Sequence, residues 1–343
     1  MKSKQVRKKR TARLIRLILT SFFVILFIIV TGIILFLSFS PSSWDGKRRF
    51  TIIVQDDSPT SEDRQNPIGL FSIEPAQNRA VYFILPGNTL LNVPYGYGSY
   101  PARSIYALGL LDKNHEAGEM VAKAVQSTLG VFIDGYIINK GKAPLTPHTE
   151  EEIVSFKKKT FSLLTAIIHF PSFLRNNSSV LDTNLSLLEQ NMLFWRVRSL
   201  RADQIKFVNL EDSFIITEDK FPDGQAVKTI DRDLFELLVS GLFQDSVIRS
   251  ENLSVEVVNA AGVEKLASSM SLIFEHLGAN VISMTTSKND QTKACLMICD
   301  RKELYGFKTV QLFTRLFKCD IQQKTDQDLQ GDVRIILGKD FIK

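Results

Sequence analysis

No acidic residue occurs before Asp45, although the 343-residue chain carries 37 Asp and Glu against 42 Lys and Arg. Cysteine and histidine are scarce throughout, with three and four copies. His115, His148, His169 and His276 are scattered without H-x-x-H or H-E-x-x-H spacing, which gives no sequence support for a metal site or for His-based catalysis. Cys295, Cys299 and Cys319 all fall in the last fifty residues, and no zinc-ligand spacing joins them. An odd number cannot pair completely within one chain. Cys295 and Cys299 share ACLMIC, which reads as a buried strand, and four residues of strand hold their Cα atoms about 13 Å apart, too far for a bridge. A bond from Cys319 to one of them stays open, but the expectation is three buried thiols.

What the start of the chain does hold is positive charge and then none. Lys2, Lys4, Arg7, Lys8, Lys9, Arg10, Arg13 and Arg16 precede LILTSFFVILFIIVTGIILFLSF, an uncharged run over 17–39. At about 1.5 Å per residue this run exceeds the roughly 30 Å hydrocarbon core, so it is expected to be a single transmembrane helix. Lys and Arg stay on the cytoplasmic side, which makes 1–16 a cytoplasmic tail and places the bulk of the chain outside a cell membrane. The rival reading is a cleaved signal peptide, with Ser38-Phe39-Ser40 as a small-x-small site, but the run is longer than a signal core of about 7 to 15 residues. The tail also attracts anionic inner-leaflet lipids, though a topology signal suffices to explain it. Subtracting its eight charges from the net +5 leaves about −3 for the rest. That charge argues against nucleic-acid binding by the folded part, which would need a basic face or stripe.

Residues 40–50 read as a short polar stalk, with Trp44 at headgroup level. FTIIVQ, IGLFSIEP and AVYFILP are three apolar strands of one sheet. NVPYGYGSYP, over 92–101, is expected to be an ordered loop, and EAGEMVAKAVQSTL a helix stopped by Gly130. VFIDGYIIN supplies another strand, giving an α/β layer architecture. Thr149 and Glu152 head a further helix. FSLLTAIIHF, over 161–170, is too short to span a bilayer and reads as a core helix rather than a membrane re-entrant one. Helical periodicity returns over 185–200, and VIRSEN, near 247–252, looks like a linker. Beyond it LSVEVVNA, the helix 263–277, NVISMTT, CLMIC, the helix 306–317 and DVRIILG fit a small independent α/β domain.

These two units resemble the two parts of LytR-CpsA-Psr (LCP) envelope proteins, an LCP domain and a LytR C-terminal domain behind a membrane helix. VEVVNAAGVEKLASSMSLIFEHLGANVI and DVRIILGKDF carry the second resemblance, over 253–343. VQDDS, RQNPIGLFSIEP, LPGNTLLNVPYGYG, SIYALG and VQSTLGVFIDGYIIN carry the first within 51–139, and VLDTNLSLLEQN is similar to a late helix of an LCP-like domain taken to span 51–247. The resemblance implies an α/β/α layered fold and a phosphotransferase site in which arginines hold a polyprenyl pyrophosphate and aspartates hold a divalent metal.

Position by position that site is eroded. Asp57 matches the Asp of the family's D-S-R, whose Arg is here Pro59. Arg64 keeps the Arg of R-S-D-T, whose Asp is Asn66. Gly87 and Asn88 replace both charged members of P-R-D-T between Pro86 and Thr89. Pro101 stands where a basic residue precedes the SIYALG helix, and Arg103 lies two positions on. Asp to Asn removes the charge that holds Mg²⁺, and Arg to Gly removes a bidentate phosphate clamp. The expectation is a membrane-anchored protein without resident cofactor. It binds envelope polymers, lipid-linked glycans or envelope proteins, and Asp57, Arg64 and Arg103 are remnants of its site. Tyr95, Tyr97 and Tyr100 are the candidates for stacking on sugar or lipid, or for packing the domain's own edge. The alternative is an active, Mg-dependent phosphotransferase with relocated ligands, Asp57 being the one candidate for the metal.

Overall fold

The computed structural model describes residues 42–57, 66–141, 144–161, 180–222, 224–287, 292, 294–323 and 329–339, with a few helical positions between Thr20 and Gly32. The tail 1–16, most of the apolar run 17–39, Pro59, Arg64 and the segment 162–179 lie outside the described residues. Among those that are described, no helix is long and apolar enough to cross a membrane.

The first domain is built on a six-stranded mixed sheet, ordered β7-β6-β1-β2-β3-β8. Its strands are β1 (Phe50–Asp56), β2 (Ile68–Glu74), β3 (Arg79–Leu85), β6 (Gly135–Asn139), β7 (Leu181–Thr183) and β8 (Ile205–Asn209). β1, β2 and β3 run antiparallel, and β6 joins β1 in parallel across the crossover made by two helices, α1 (Ala102–Leu111) and α2 (Ala117–Leu129). The central strands are buried on both faces, which is why they read as continuous apolar runs rather than alternating ones. Ile53, Leu70, Phe83 and Ile138 face α1 and α2 in one core, joined by Phe235 of α5 (Arg232–Val239). Phe50, Ile52, Tyr82 and Ile84 face a second core completed by Ile153 of α3 (Glu150–Thr160) and by Leu193 and Val197 of α4 (Leu187–Ser199). Helices thus cover both faces, the α/β/α layering that the sequence implied. α2 lies so close to β6 that a Cβ at Gly118 would come within 2.1 Å of the Tyr136 ring, so only glycine fits there.

Residues 92–101 are more regular than an ordered loop: β4 (Leu90–Val93) and β5 (Gly98–Pro101) form a hairpin. A second hairpin joins β9 (Ile216–Lys220) to β10 (Ala226–Ile230).

Residues 42–49 are not a solvated stalk. Trp44 is 2% exposed and stacks on Phe50 at 4.4 Å, and its indole N–H donates to the Arg48 carbonyl. The Ser43 and Trp44 N–H groups and the Ser43 hydroxyl donate to Glu189 Oε1 of α4 at 2.7, 3.2 and 2.9 Å. Arg48 pairs with Asp134 at 2.6 Å and Arg49 with Glu74 at 2.6 Å, all four side chains buried. The Trp44 side chain is therefore packed in the protein core rather than laid in a headgroup layer, and the polar groups around it find buried partners.

The second domain is a five-stranded sheet, ordered β12-β11-β15-β13-β14. It comprises β11 (Ser254–Asn259), β12 (Asn280–Thr286), β13 (Leu296–Cys299), β14 (Asp320–Gln323) and β15 (Val333–Leu337), covered by α7 (Leu266–Leu277) and α8 (Lys308–Phe317). Phe274, Phe313 and Phe317 of those helices stack together in its core. The α7 helix starts at Leu266, later than Val263, because Lys265 before it has left-handed backbone.

The expectation of three thiols is corrected by this topology. β13 and β14 run side by side with Leu296 opposite Asp320, which brings Cys295 and Cys319 to 4.4 Å between Cα atoms, and they form a disulfide. Cys299 is the free, buried thiol. The segment read as a linker is also a helix, α6 (Ser246–Glu251), capped by Asp245, which accepts the Val247 and Ile248 N–H groups. Glu251 in turn accepts the Lys308 and Thr309 N–H groups, so α6 is part of the second domain's packing. Gly278, with φ 106°, closes α7 against this junction, where a Cβ would meet the Asp245 carbonyl at 3.2 Å.

Candidate functional site

Between the sheet and the α3–α4 layer lies an apolar cavity of about 240 Å³. Ile52, Val54 and Ile137 form its floor, Phe156 and Phe161 one wall, and Leu193 and Phe194 another. Its polar lining groups are mostly engaged elsewhere. Thr183 donates to the Tyr136 carbonyl, Gln190 to the Leu185 carbonyl and Lys157 to the Arg198 carbonyl. The Tyr82 hydroxyl is the exception, buried without a partner among the described residues. Burial first, then the charges of Asp56 and Glu152, push its ionisation far above the ordinary tyrosine range, so it is a neutral donor. Such a space takes an apolar chain.

The positions of the eroded motifs gather at one end of the sheet, where β1, β3 and β6 finish and β2 begins. Pairing fixes this: Gln55 lies opposite Ile68, Ile68 opposite Leu85, and Asp56 beside Asn139. Asp56 is the buried carboxylate here. It accepts from the Asn139 amide, from the Leu145 and Thr146 N–H groups and from the Thr146 hydroxyl. Leu145 also lines the cavity, so Asp56 anchors the loop that closes it. Asp57 is exposed, and its N–H donates to the Asn139 carbonyl. Partial desolvation raises the Asp57 carboxyl above the ordinary range, with Lys140 opposing the shift. Next to it Tyr106 donates to Asp182 at 2.7 Å.

Arg103 is brought to the same end by backbone contacts. Its N–H donates to the Gly87 carbonyl and that of Ala102 to the Thr89 carbonyl, so the start of α1 rests on the Gly87–Thr89 turn. Sequence reasoning named Asn88 and Thr89 here but missed Gln55 and Lys228. The side-chain oxygens of Gln55, Asn88 and Thr89 are buried without partners among the described residues. Lys228, whose N–H donates to the Asn88 carbonyl, pairs its ammonium with Glu211 at 2.7 Å. A Lys in a polar hairpin 140 positions beyond Asn88 gives no local sequence signal. No contact joins Asp57 to Arg103 among the described residues.

The tyrosine-rich hairpin turns inward. Tyr95, in left-handed backbone at φ 65°, stacks on His115 at 3.6 Å, with Lys123 5.5 Å from its centroid. Tyr97 donates to Asp112 at 3.0 Å, and Tyr100 packs against the domain core. Their side chains are used at the domain's own edge, and Tyr97 alone is as much as 36% exposed.

Among the described residues no three His, Cys, Asp or Glu side chains converge. The Asp56 carboxylate is saturated by four donors, and Asp57 beside it faces Lys140 rather than a second acid.

A family model described as LytR cell envelope-related transcriptional attenuator matches residues 252–341. No curated protein sequence matches the chain significantly. Similar solved structures include B. subtilis TagT, at 15% identity over 57% of this chain and 89% of that one, with a TM-score of 0.38. A structure of TagT bound to LI-WTA is 17% identical over 57% of this chain and 90% of that one, with a TM-score of 0.37. The protein gbs0355 from Streptococcus agalactiae is 15% identical over 58% of this chain and 88% of that one, with a TM-score of 0.42. The family match begins inside the α6 junction and ends just past β15, covering the whole second domain. Residues 252–341 are thus a LytR C-terminal domain.

Proposed function

We propose that this protein is a membrane-anchored, extracytoplasmic LCP-like protein. It holds the apolar chain of a polyprenyl-linked glycan or wall-polymer precursor, and its phosphotransferase site is degenerate. The single observation that supports this reading is the apolar cavity between the sheet and α3–α4, closed at one end by the loop on Asp56. An isoprenoid tail is a ligand of matching chemistry, since burying apolar chain is favourable by about 25 cal/mol per Å². The loss of charge at Asn66, Gly87 and Asn88 supports binding without transfer, because a phosphoryl transition state needs cations aimed at its developing charge. An anchor at 17–39 would raise the local concentration of lipid-linked ligand at the cavity.

The second reading, transfer with relocated ligands, is favoured by Arg103 and Lys228 standing beside the unpartnered oxygens of Gln55, Asn88 and Thr89. Full-length protein in detergent, titrated with a polyprenyl phosphate with and without Mg²⁺, separates the two. Metal-independent binding that survives Asp57→Ala supports the degenerate site. Tight binding that requires Mg²⁺ and is lost in Asp57→Ala overturns it, and no binding at all overturns the lipid-holding role.

A further inference from the structure

A groove of about 630 Å³ runs along the seam between the domains, on the side of residues 42–49. Lys47, Arg196, Lys308 and Arg315 line it together with Asp45 and Asp245. The residues come from the segment that leads into β1, from α4, from the α6 cap and from α8, so the groove exists only when both domains are docked. Its two carboxylates are already engaged. Asp45 accepts the Lys47 and Arg48 N–H groups at 2.9 and 3.0 Å, and Asp245 accepts those of Arg49, Val247 and Ile248. The cations are not matched in the same way. Lys308 reaches Gln311 Oε1 at 3.2 Å and Arg196 gives one N–H to the Gly46 carbonyl; among the described residues no carboxylate lies within ion-pair distance of the four, although against burial the Arg315 charge helps the Arg48 and Lys47 N–H groups to lower the Asp45 carboxyl. Arg48, which also lines the groove, is paired with Asp134. Four cations against two carboxylates leave an excess of two positive charges in the groove. Pro75, Val247 and Leu312 give it an apolar rim.

This arrangement suits a phosphate group with a short apolar extension. Its position selects the source. Asp45 is six residues beyond Phe39, where the apolar run ends, so the groove lies within about 20 Å of that point by chain reach. We infer that the groove binds the phosphate of an anionic lipid headgroup and so seats both domains on the membrane surface. The choice of a lipid source rests on the reading of 17–39 as an anchor, whereas the affinity for a phosphate does not.

The test uses the full chain in a zwitterionic detergent, titrated with short-chain phosphatidylglycerol, short-chain phosphatidylcholine and inorganic phosphate. Phosphatidylglycerol is expected to bind, phosphatidylcholine not. Lys308→Gln and Arg315→Gln should each weaken binding by about fivefold, and the pair more. Lys302→Gln, on the same domain but outside the groove, should leave it unchanged. Equal binding of the two lipids, binding unaltered in the double variant, or inorganic phosphate binding as tightly as the lipid overturns the proposal. So does binding that is lost in Leu193→Trp and kept in the double variant, which assigns the lipid to the cavity. Release of the protein from cell membranes by alkaline extraction refutes the anchor alone and leaves the short-chain lipid result to stand by itself.

Discussion

His276 of the LytR C-terminal domain lies 2.7 Å from Glu236 of the first domain, through Nε2, while its Nδ1 lies 3.0 Å from the Gly130 carbonyl. The ring therefore bridges two acceptors of the first domain. The imidazole is the polar lock of the seam, beside the Phe132–Phe317 contact at 5.5 Å. His276→Ala removes the side chain that bridges the two domains and is expected to cost about 1–3 kcal/mol, nearer the lower end because Glu236 is partly exposed. Urea unfolding of the full chain measures the loss, and amide exchange over 245–252 should accelerate. An unchanged unfolding curve with unchanged exchange would remove His276 from the docking account.

Acid should open the segment 42–49 before it unfolds the sheets. Burial alone would raise the Glu74 carboxyl, but Arg49, with hydrogen bonds from Arg79 and Ser246, outweighs it and holds Glu74 below the ordinary 4.5. Glu189 is likewise lowered, burial being overcome by donors from Ser186 and Ser43. Depressed carboxylates give stability that is fully present above the unfolded pKa and is lost as pH falls through the folded one. The window therefore lies below about pH 4.5. Proteolytic cleavage at Lys47 to Arg49 should rise there, and Glu74→Gln should make the rise smaller, with Glu189 supplying what remains. Cleavage that rises equally in both proteins would contradict the assignment.

Reducing Cys295–Cys319, 24 residues apart, should destabilise the second domain by about 3 kcal/mol from chain entropy. Burial pushes the Cys299 thiol up to about 11, so it should resist alkylation at neutral pH until the domain unfolds. Thiol counting with and without reductant, in native buffer and in denaturant, reads both effects. Three thiols alkylated in unreduced, unfolded protein would show that the bridge is absent.

Leu193→Trp fills the cavity from α4 and should lower affinity for a polyprenyl phosphate at least tenfold, at a stability cost of about 1–3 kcal/mol. Tyr82→Phe removes a buried hydroxyl that has no partner among the described residues and should leave binding nearly unchanged. Calorimetric titration of the folded variants decides it, and full affinity in Leu193→Trp would place the ligand elsewhere.

The strands and helices were largely legible because their burial is periodic or continuous in the chain. FTIIVQ, AVYFILP, LSVEVVNA and DVRIILG stand as strands in the structure. Residues 42–49 were misread for a physical reason: Ser43, Arg48 and Arg49 look solvated until Glu189, Asp134 and Asp245 arrive from far along the sequence. The disulfide was hidden in the same way, since the separation along one strand says nothing of the neighbour that the strand will acquire. At the candidate site the absent charges of Asn66, Gly87 and Asn88 could be read directly. The unpartnered oxygens and Lys228 could not, because burial of a polar atom is a property of packing.

The way the chain enters the first domain also sets how that domain bears load. A pull on the chain ahead of Ser42 meets the Glu189 hydrogen bonds, then the Arg48–Asp134 pair, then the Arg49 contacts to Glu74 and Asp245. These anchor points lie on α4, on the approach to β6, on β2 and at the α6 cap. Tension is divided among four elements before it reaches β1, so the central strand is shielded from being unzipped at its end.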